Sequence, residues 1–457
     1  MRPDLDVAVI GAGIAGLATA HELRRAGLTV RVYEEQRHVG GRMHSFRHAG
    51  YTVDEGAEQI SRQGYRATWE LIGRLGLPRE EVAPLGGRLA VWRAGRARPG
   101  LAEPSAVLTG AGLGPRARLD LARLLGLLAR HGAEFDTDHP ERTPLGGITL
   151  RELAGRYHPD LHDYLLQPVA GCFFGWDTAR SAAAPMLSLL REVGPPSGWR
   201  TYADGMDRLA RALAADLDVV TGSEVHEVVT DRDSAGVRIG GEVVTARAAV
   251  LCVPAPVAVR LHANPAPDVA AYLSACTFTP TLKVSCLLDR PLAPAAGNRP
   301  LYLLLTPDAA DGTLSGIIAD HVKHPARAPA GKGLLTLLAD PRTVPELLTA
   351  PHREVVERLT TAARRYVPGL ASTGAQSFVH TFRHGLPEAT PAALGRRARF
   401  MARATGPVEY AGDWVMLRPS SEGAVRAAAL AASRVLSRLR GPRPNDATDR
   451  RTTHEAA

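Results

Sequence analysis

Hydrophobic and polar positions near the start of the chain follow two periods in turn. Residues 7–10 are an unbroken apolar run of strand length, residues 17–26 carry apolar side chains at helical spacing, and residues 29–33 return to a strand pattern. Gly11-Ala-Gly13-Ile-Ala15-Gly16 lies between the first strand and the helix, and Glu34 and Glu35 stand at the end of the second strand. The order predicts a βαβ unit with a dinucleotide fingerprint. Gly11 permits the tight turn, Gly13 lets backbone approach a pyrophosphate, and Gly16 lets helix and strand pack closely. The helix N-terminus then offers free N–H groups and its positive dipole end to phosphate. Glu34, eighteen residues past Gly16, stands where a carboxylate accepts hydrogen bonds from a ribose.

The pattern beyond this unit alternates between two kinds of region. Residues 84–99 read as a hairpin leaving the nucleotide-binding part. Residues 108–130 and 150–190 read as helical, with a break over 136–147. A helix over 207–215, a strand near Val219, and strands over 224–229 and 248–253 return to nucleotide binding. Strands over 281–288, 301–305 and 334–338 follow, separated by Pro- and Ala-rich connectors at 290–300 and 323–333 and trailed by a helix over 351–365. An alanine-rich helix begins after Ser420-Ser421-Glu422. The expected division is a discontinuous Rossmann-like nucleotide-binding domain (1–85, 199–275 and 385–440) and an α+β substrate domain (86–198, helical, and 276–384, strand-rich). The fold class is α/β, and 441–457, nearly devoid of apolar residues, is expected to be disordered.

Composition narrows the function. At 457 residues and 45% hydrophobic content, the chain can bury two proper cores. Cys172, Cys252, Cys276 and Cys286 lie in apolar surroundings without metal-ligand spacing, so they read as buried small hydrophobes in a reducing, cytoplasmic setting, and no metal is expected. No run reaches the eighteen or so apolar residues of a membrane span. The net charge of +8 comes from scattered arginines, and aromatic content is 5%, which argues against a nucleic-acid partner.

Further motifs identify the dinucleotide. Gly40-Gly41-Arg42 follows Glu34. Asp54-Glu55-Gly56-Ala57-Glu58-Gln59 comes next, and Glu409-Tyr-Ala-Gly412-Asp413 precedes Ser420-Ser421-Glu422-Gly423-Ala424-Val425 near the C-terminus. Together these patches, at 6–46, 54–59 and 408–432, resemble the flavoprotein family of amine oxidases, protoporphyrinogen oxidases and phytoene-type desaturases, with a looser similarity through the middle of the chain. The resemblance implies a fold and a cofactor, FAD. It places Gly41 and Arg42 at the pyrophosphate and Gly56, Ala57, Glu58 and Gln59 along the flavin. The Val225 backbone would meet the adenine, and Asp413, after Gly412, the ribityl chain. The helix opening at Glu422, Gly423 and Ala424 would direct its N-terminus at the flavin pyrimidine.

Among only three lysines, Lys323 and Lys332 fall in expected loops. Lys283 projects with Ser285 from the face opposite Leu282, Val284, Cys286 and Leu288. In amine oxidases a lysine at the matching place holds a water near flavin N5. The other reading is a solvated lysine on the polar face of an edge strand.

Two departures from the family shape the expected activity. Ser420 and Ser421 replace an aromatic residue of the amine cage, and no cysteine between residues 378 and 432 offers a flavin thioether. Segments 167–175 and 381–388 look more like protoporphyrinogen oxidases, where Arg383 and His384 would meet an acidic substrate or serve as structural or surface residues. The expectation is a non-covalent FAD enzyme removing hydride from a C–N or C–C bond of a small molecule, with Lys283 as its catalytic residue and O2 or another carrier as acceptor. The alternatives are a redox-neutral flavoprotein isomerase or mutase, and a non-catalytic FAD- or NAD-binding protein.

Overall fold

A computed structural model describes residues 3–100, 112–310, 312–370 and 376–440. The strand Leu5–Ile10 sits at the centre of a seven-stranded sheet, parallel to Val30–Tyr33 on one side and to Glu242–Leu251 on the other. Asp218–Val220 extends the sheet beyond Val30–Tyr33. Val408–Tyr410 pairs parallel with Glu242–Leu251, and Ala235–Ile239 and Val225–Thr230 continue antiparallel. Val7, Ala8 and Val9 are wholly buried, as a strand covered on both faces requires. Helix Ile14–Arg25 covers one face and packs against the C-terminal helix Ser421–Arg440, whose Ala427, Ala428 and Ala431 permit close approach.

A second seven-stranded sheet runs in the order Gln376–Pro387, Phe278–Leu288, Gly333–Ala339, Leu314–Ala319, Leu303–Leu305, Leu89–Arg93 and Arg96–Pro99. The last two form the expected hairpin. Val284, Leu335 and Leu337 enter a separate apolar core beneath helix His352–Ala363. Helices Pro115–Arg130, Gln167–Phe174 and Ala183–Val193 contribute instead to the main core. A three-stranded sheet of Ile60–Ser61, Trp199–Tyr202 and Val82–Pro84 lies apart from both.

Four expectations need correction. The helical run over 150–190 is broken into Leu150–Ala154, Pro159–Leu161, a π-helical turn His162–Leu166, Gln167–Phe174 and Ala183–Val193, because Pro159 restarts the chain and Gly175 ends a helix at φ +62°. Strand Phe278–Leu288 is interior rather than an edge, since Gln376–Pro387 pairs along it. Leu314–Ala319 and Gln376–Pro387 are strands that the periodicity did not reveal. The first is a short apolar run and the second mixes charged and apolar residues without regular alternation. Lys323 lies in no loop: it closes the helix Asp320–Lys323 and is completely buried. The tail 441–457 falls outside the described residues. Among the described residues no helix is long and apolar enough to cross a membrane.

Candidate cofactor and substrate site

A cavity of about 1600 Å³ runs from the glycine turn to Lys283. This exceeds the ~300–1,000 Å³ of an ordinary ligand pocket and leaves room for a large cofactor together with a substrate. Its first wall is local. Gly11 takes φ +101°, and a Cβ there would lie 2.9 Å from the Cys252 carbonyl oxygen. A Cβ on Gly16 would fall 1.8 Å from the Gly11 oxygen, so Gly16 serves the packing of turn against helix and does not line the cavity. A Cβ on Gly13 would meet nothing within 4 Å, and this residue faces open space beside Ala15.

Glu34 is aimed by this same turn. Its carboxylate accepts the Ala12 N–H at 2.6 Å and the Gln36 N–H at 2.9 Å, which leaves acceptor directions on both oxygens for a ribose. Burial pushes its pKa up, against the pull of these two N–H groups. Glu35 lines the cavity beside it. Val225, at the start of its strand, lines it from the neighbouring segment.

Three motifs far apart in sequence then close into one unit. Gly40 donates its N–H to the Ala12 oxygen at 2.9 Å, fastening the Gly41–Met43 turn to the glycine turn. Arg42, presented by that turn, holds Asp413 through two hydrogen bonds of 2.8 Å and donates to the Gly385 oxygen at 3.0 Å. The Arg42 carbonyl accepts the Ala57 N–H at 2.8 Å, and a Cβ on Gly56 would come within 2.1 Å of that oxygen. A Cβ on Gly412 would meet Trp414 Nε1 at 2.5 Å. Gly41, Arg42, Gly56, Ala57, Glu58, Gln59, Gly412, Asp413 and Ala424 all line the cavity. So do Tyr33 and Ser421. An open glycine turn, a carboxylate with free acceptor directions and an Arg–Asp clasp around one cavity fit a polar, phosphate-bearing cofactor.

The C-terminal helix departs from expectation. Ser421 and Ala424 face the cavity, but Glu422 and Gly423 do not. The Glu422 carboxylate turns away to accept the backbone N–H groups of Ala67 and Thr68 at 3.1 and 2.8 Å and the Thr68 hydroxyl at 2.9 Å. It thereby caps helix Arg66–Arg74 from across the chain, with Arg426 beside it at 2.7 Å. Gly423 is confined by the Arg418 oxygen, 2.2 Å from a Cβ there.

Lys283 is 5% exposed, which rules out a solvated lysine. Its ammonium donates to the Gly56 oxygen at 3.1 Å and to Glu58 Oε1, leaving one N–H beside the cavity that the residue lines. Glu58 therefore takes a second role that its place in the motif did not reveal. Its other oxygen receives Lys323, which also binds Asp54 at 3.2 Å and Asp320 at 2.7 Å, while Arg327 completes the group on Asp54 at 3.0 Å. Burial pushes the Glu58 carboxyl up, only partly offset by Lys283 and Lys323. For Asp54, burial is outweighed by Arg327 and Lys323, bringing the pKa down to about 2. Burial opposes the charge on Lys323, but Asp320, Glu58 and Asp54 hold it protonated. In the sequence, Lys323 falls in an expected loop, and Asp320 and Arg327 have no assigned role. The one available signal was the rarity of lysine in this chain.

Arg383 and His384 both line the cavity, the former exposed and the latter half-buried. Burial together with Arg260 and Arg383 lowers the His384 pKa. Two groups bring three possible metal ligands within 4.8 Å of one another among the described residues: His38, His44 and Glu55, and Asp54, Glu58 and Asp320. The second surrounds the Lys323 ammonium, which already neutralises it.

Comparison with known proteins agrees with this geometry. Mitochondrial protoporphyrinogen oxidase of Nicotiana tabacum is 42% identical over 79 residues, covering 17% of this chain and 16% of the relative. Polyamine oxidase 3 of Oryza sativa subsp. japonica is 27% identical over 271 residues, 54% of this chain and 51% of that one. The chain thus matches about a sixth of the first of these relatives and about half of the second. Cyclohexylamine oxidase from Brevibacterium oxydans IH-35A shares the fold, with a TM-score of 0.77 at 17% identity over 96% of this chain and 100% of that one. Residues 14–436, which contain the glycine-turn helix, the Arg42–Asp413 clasp and the Lys283 strand, match the model of the flavin-containing amine oxidoreductases, and the chain belongs to that family.

Proposed function

We propose that the protein is an FAD-dependent oxidoreductase that removes hydride from a C–N or C–C bond of a small molecule and passes the electrons to O2. The observation that carries this reading is the continuity of one cavity from Glu34 and the glycine turn, past the Arg42–Asp413 clasp, to Lys283. Residues 1–85, 199–275 and 385–440 would hold the cofactor, and 86–198 and 276–384 the substrate. FAD, when bound, supplies the hydride-accepting ring and carries the electrons. The chain's own part is to bind and orient. Gly11 and Gly13 would open the turn to phosphate, Glu34 would accept from the adenosine ribose, and Arg42, near the pyrophosphate, would fix Asp413 for the ribityl hydroxyls. Val225 offers backbone to the adenine. The Ser421–Arg440 helix, whose Ser421 and Ala424 line the cavity, would turn its N-terminus to the bound flavin, where a dipole of that sign stabilises negative charge. Lys283, held by Gly56 and Glu58, keeps one N–H for a water or for the reacting face.

Attachment is read as non-covalent because no cysteine lies between residues 378 and 432 to offer a flavin thioether. Cys172 and Cys252 line the cavity, but burial raises both thiols, Cys252 to about 12, so neither supplies thiolate readily. Four free cysteines suit a reducing, cytoplasmic setting. The purified protein is expected to be yellow and to release about one FAD per chain on heating or acid treatment. A colourless protein that binds NAD and cannot be reconstituted with FAD refutes the assignment.

A further inference from the structure

The cavity wall contributed by residues 86–198 and 276–386 holds no carboxylate among the described residues. It consists mainly of apolar side chains, among them Leu166, Val169, Phe173, Leu303, Leu305 and Ile318. Its charged members are cationic: Lys283, Arg191 and Arg383. Two acids of the flavin motif line the same cavity: Glu58, both of whose oxygens are occupied by Lys283 and Lys323, and Glu55, which His44 faces at 3.0 Å. A protonated amine entering here would leave water and meet carboxylates that already have partners, beside the positive charge of Lys283, Arg191 and Arg383, an arrangement that selects against it. The apolar lining also continues outward. Leu125, 44% exposed on helix Pro115–Arg130, and Leu190, 37% exposed on helix Ala183–Val193, both belong to the cavity lining.

From this wall we infer that the substrate is a lipophilic molecule without a cationic group, rather than a diamine or polyamine. The inference rests on the oxidoreductase reading for the word substrate, and on the wall chemistry alone for the class of molecule bound. Shape and hydrocarbon contact supply the binding free energy. Arg191 and Arg383 tolerate a carboxylate at one end of the molecule, and the Glu58 pair with Lys283 and Lys323 keeps that acid from attracting cations.

The test compares two probes, linoleate and putrescine, by equilibrium titration of the FAD-loaded full chain. Binding is followed through the flavin absorbance and the intrinsic tryptophan fluorescence, to which Trp199 and Trp414 on the cavity lining contribute. Linoleate is expected to bind at least a hundredfold more tightly than putrescine. Leu190→Glu, at a half-exposed position that tolerates charge, is expected to weaken linoleate tenfold or more and to leave the flavin spectrum unchanged. The inference is overturned if putrescine binds as tightly as linoleate, if neither probe binds at millimolar concentration, or if Leu190→Glu leaves linoleate binding intact. Should the protein contain no FAD, the oxidoreductase reading fails separately, and the same titration followed by tryptophan fluorescence still decides the class of ligand.

Discussion

Removal of the Lys323 charge tests the physical account of the site most directly. Asp54, Glu58 and Asp320 are balanced against Lys283, Lys323 and Arg327, three charges of each sign in a nearly dry cluster. Lys323→Met keeps the length and much of the apolar stem but leaves one uncompensated buried negative charge. Removing one partner of a buried ion pair typically costs about 3–5 kcal/mol, and that loss is expected in urea unfolding of the FAD-loaded protein at pH 8. The sign of its pH dependence follows from Glu58. Burial already raises the folded pKa of this carboxyl above its unfolded value, and loss of Lys323 raises it further. The folded state of the variant therefore binds a proton that the unfolded chain releases. Its stability is fully present below the unfolded pKa and is lost as pH climbs through the folded one. Between pH 8 and pH 6 the deficit should shrink by about 1–2 kcal/mol, since one proton is worth ~1.4 kcal/mol per pH unit. The double variant Lys323→Met/Glu58→Gln should regain at least about 1 kcal/mol over the single variant and lose this pH dependence. A deficit under about 1 kcal/mol, or additive costs with no change between the two pH values, would refute the reasoning.

Three further outcomes are expected. Lys283→Met should retain FAD, because the clasp and the glycine turn are untouched. Reoxidation by O2 should slow about tenfold or more, ~1.4 kcal/mol of barrier, in rapid-mixing traces, since a cation near the ring stabilises developing negative charge; overlaying traces would remove Lys283 from the redox cycle. Glu34→Ala removes a charged acceptor worth about 1.5–3 kcal/mol and should weaken FAD binding roughly tenfold to hundredfold in reconstitution titrations, whereas equal retention would show that Glu34 does not hold the ribose. Glu422→Ala should cost about 1–3 kcal/mol of stability through loss of the cap on helix Arg66–Arg74 while leaving the flavin absorbance band in place; a shifted band with unchanged stability would return Glu422 to the cofactor.

Local chemistry was legible in the order of residues alone. The glycine turn, its helix and Glu34 occupy one contiguous βαβ unit, so their spacing encodes that Gly16 must pack on Gly11 and that the carboxylate lies beside the turn. The apolar runs likewise marked Phe278–Leu288 and Gly333–Ala339 as strands, because a buried strand writes its burial into consecutive residues. Whatever depends on partners from distant segments emerged only with the tertiary structure. Pairing with Gln376–Pro387 made the Lys283 strand interior, and no residue within 278–288 records that neighbour. Glu422 stands in the right motif to face a flavin, yet the unfilled N–H groups of a helix 354 residues away in sequence claim its carboxylate. Lys323 reads as a loop lysine because lysine is ordinarily solvated, and it is buried because Asp54, Glu58 and Asp320 converge on it from two separate stretches of the chain. A charge can leave water only where opposite charges are assembled to receive it, and that assembly exists only once the chain has folded.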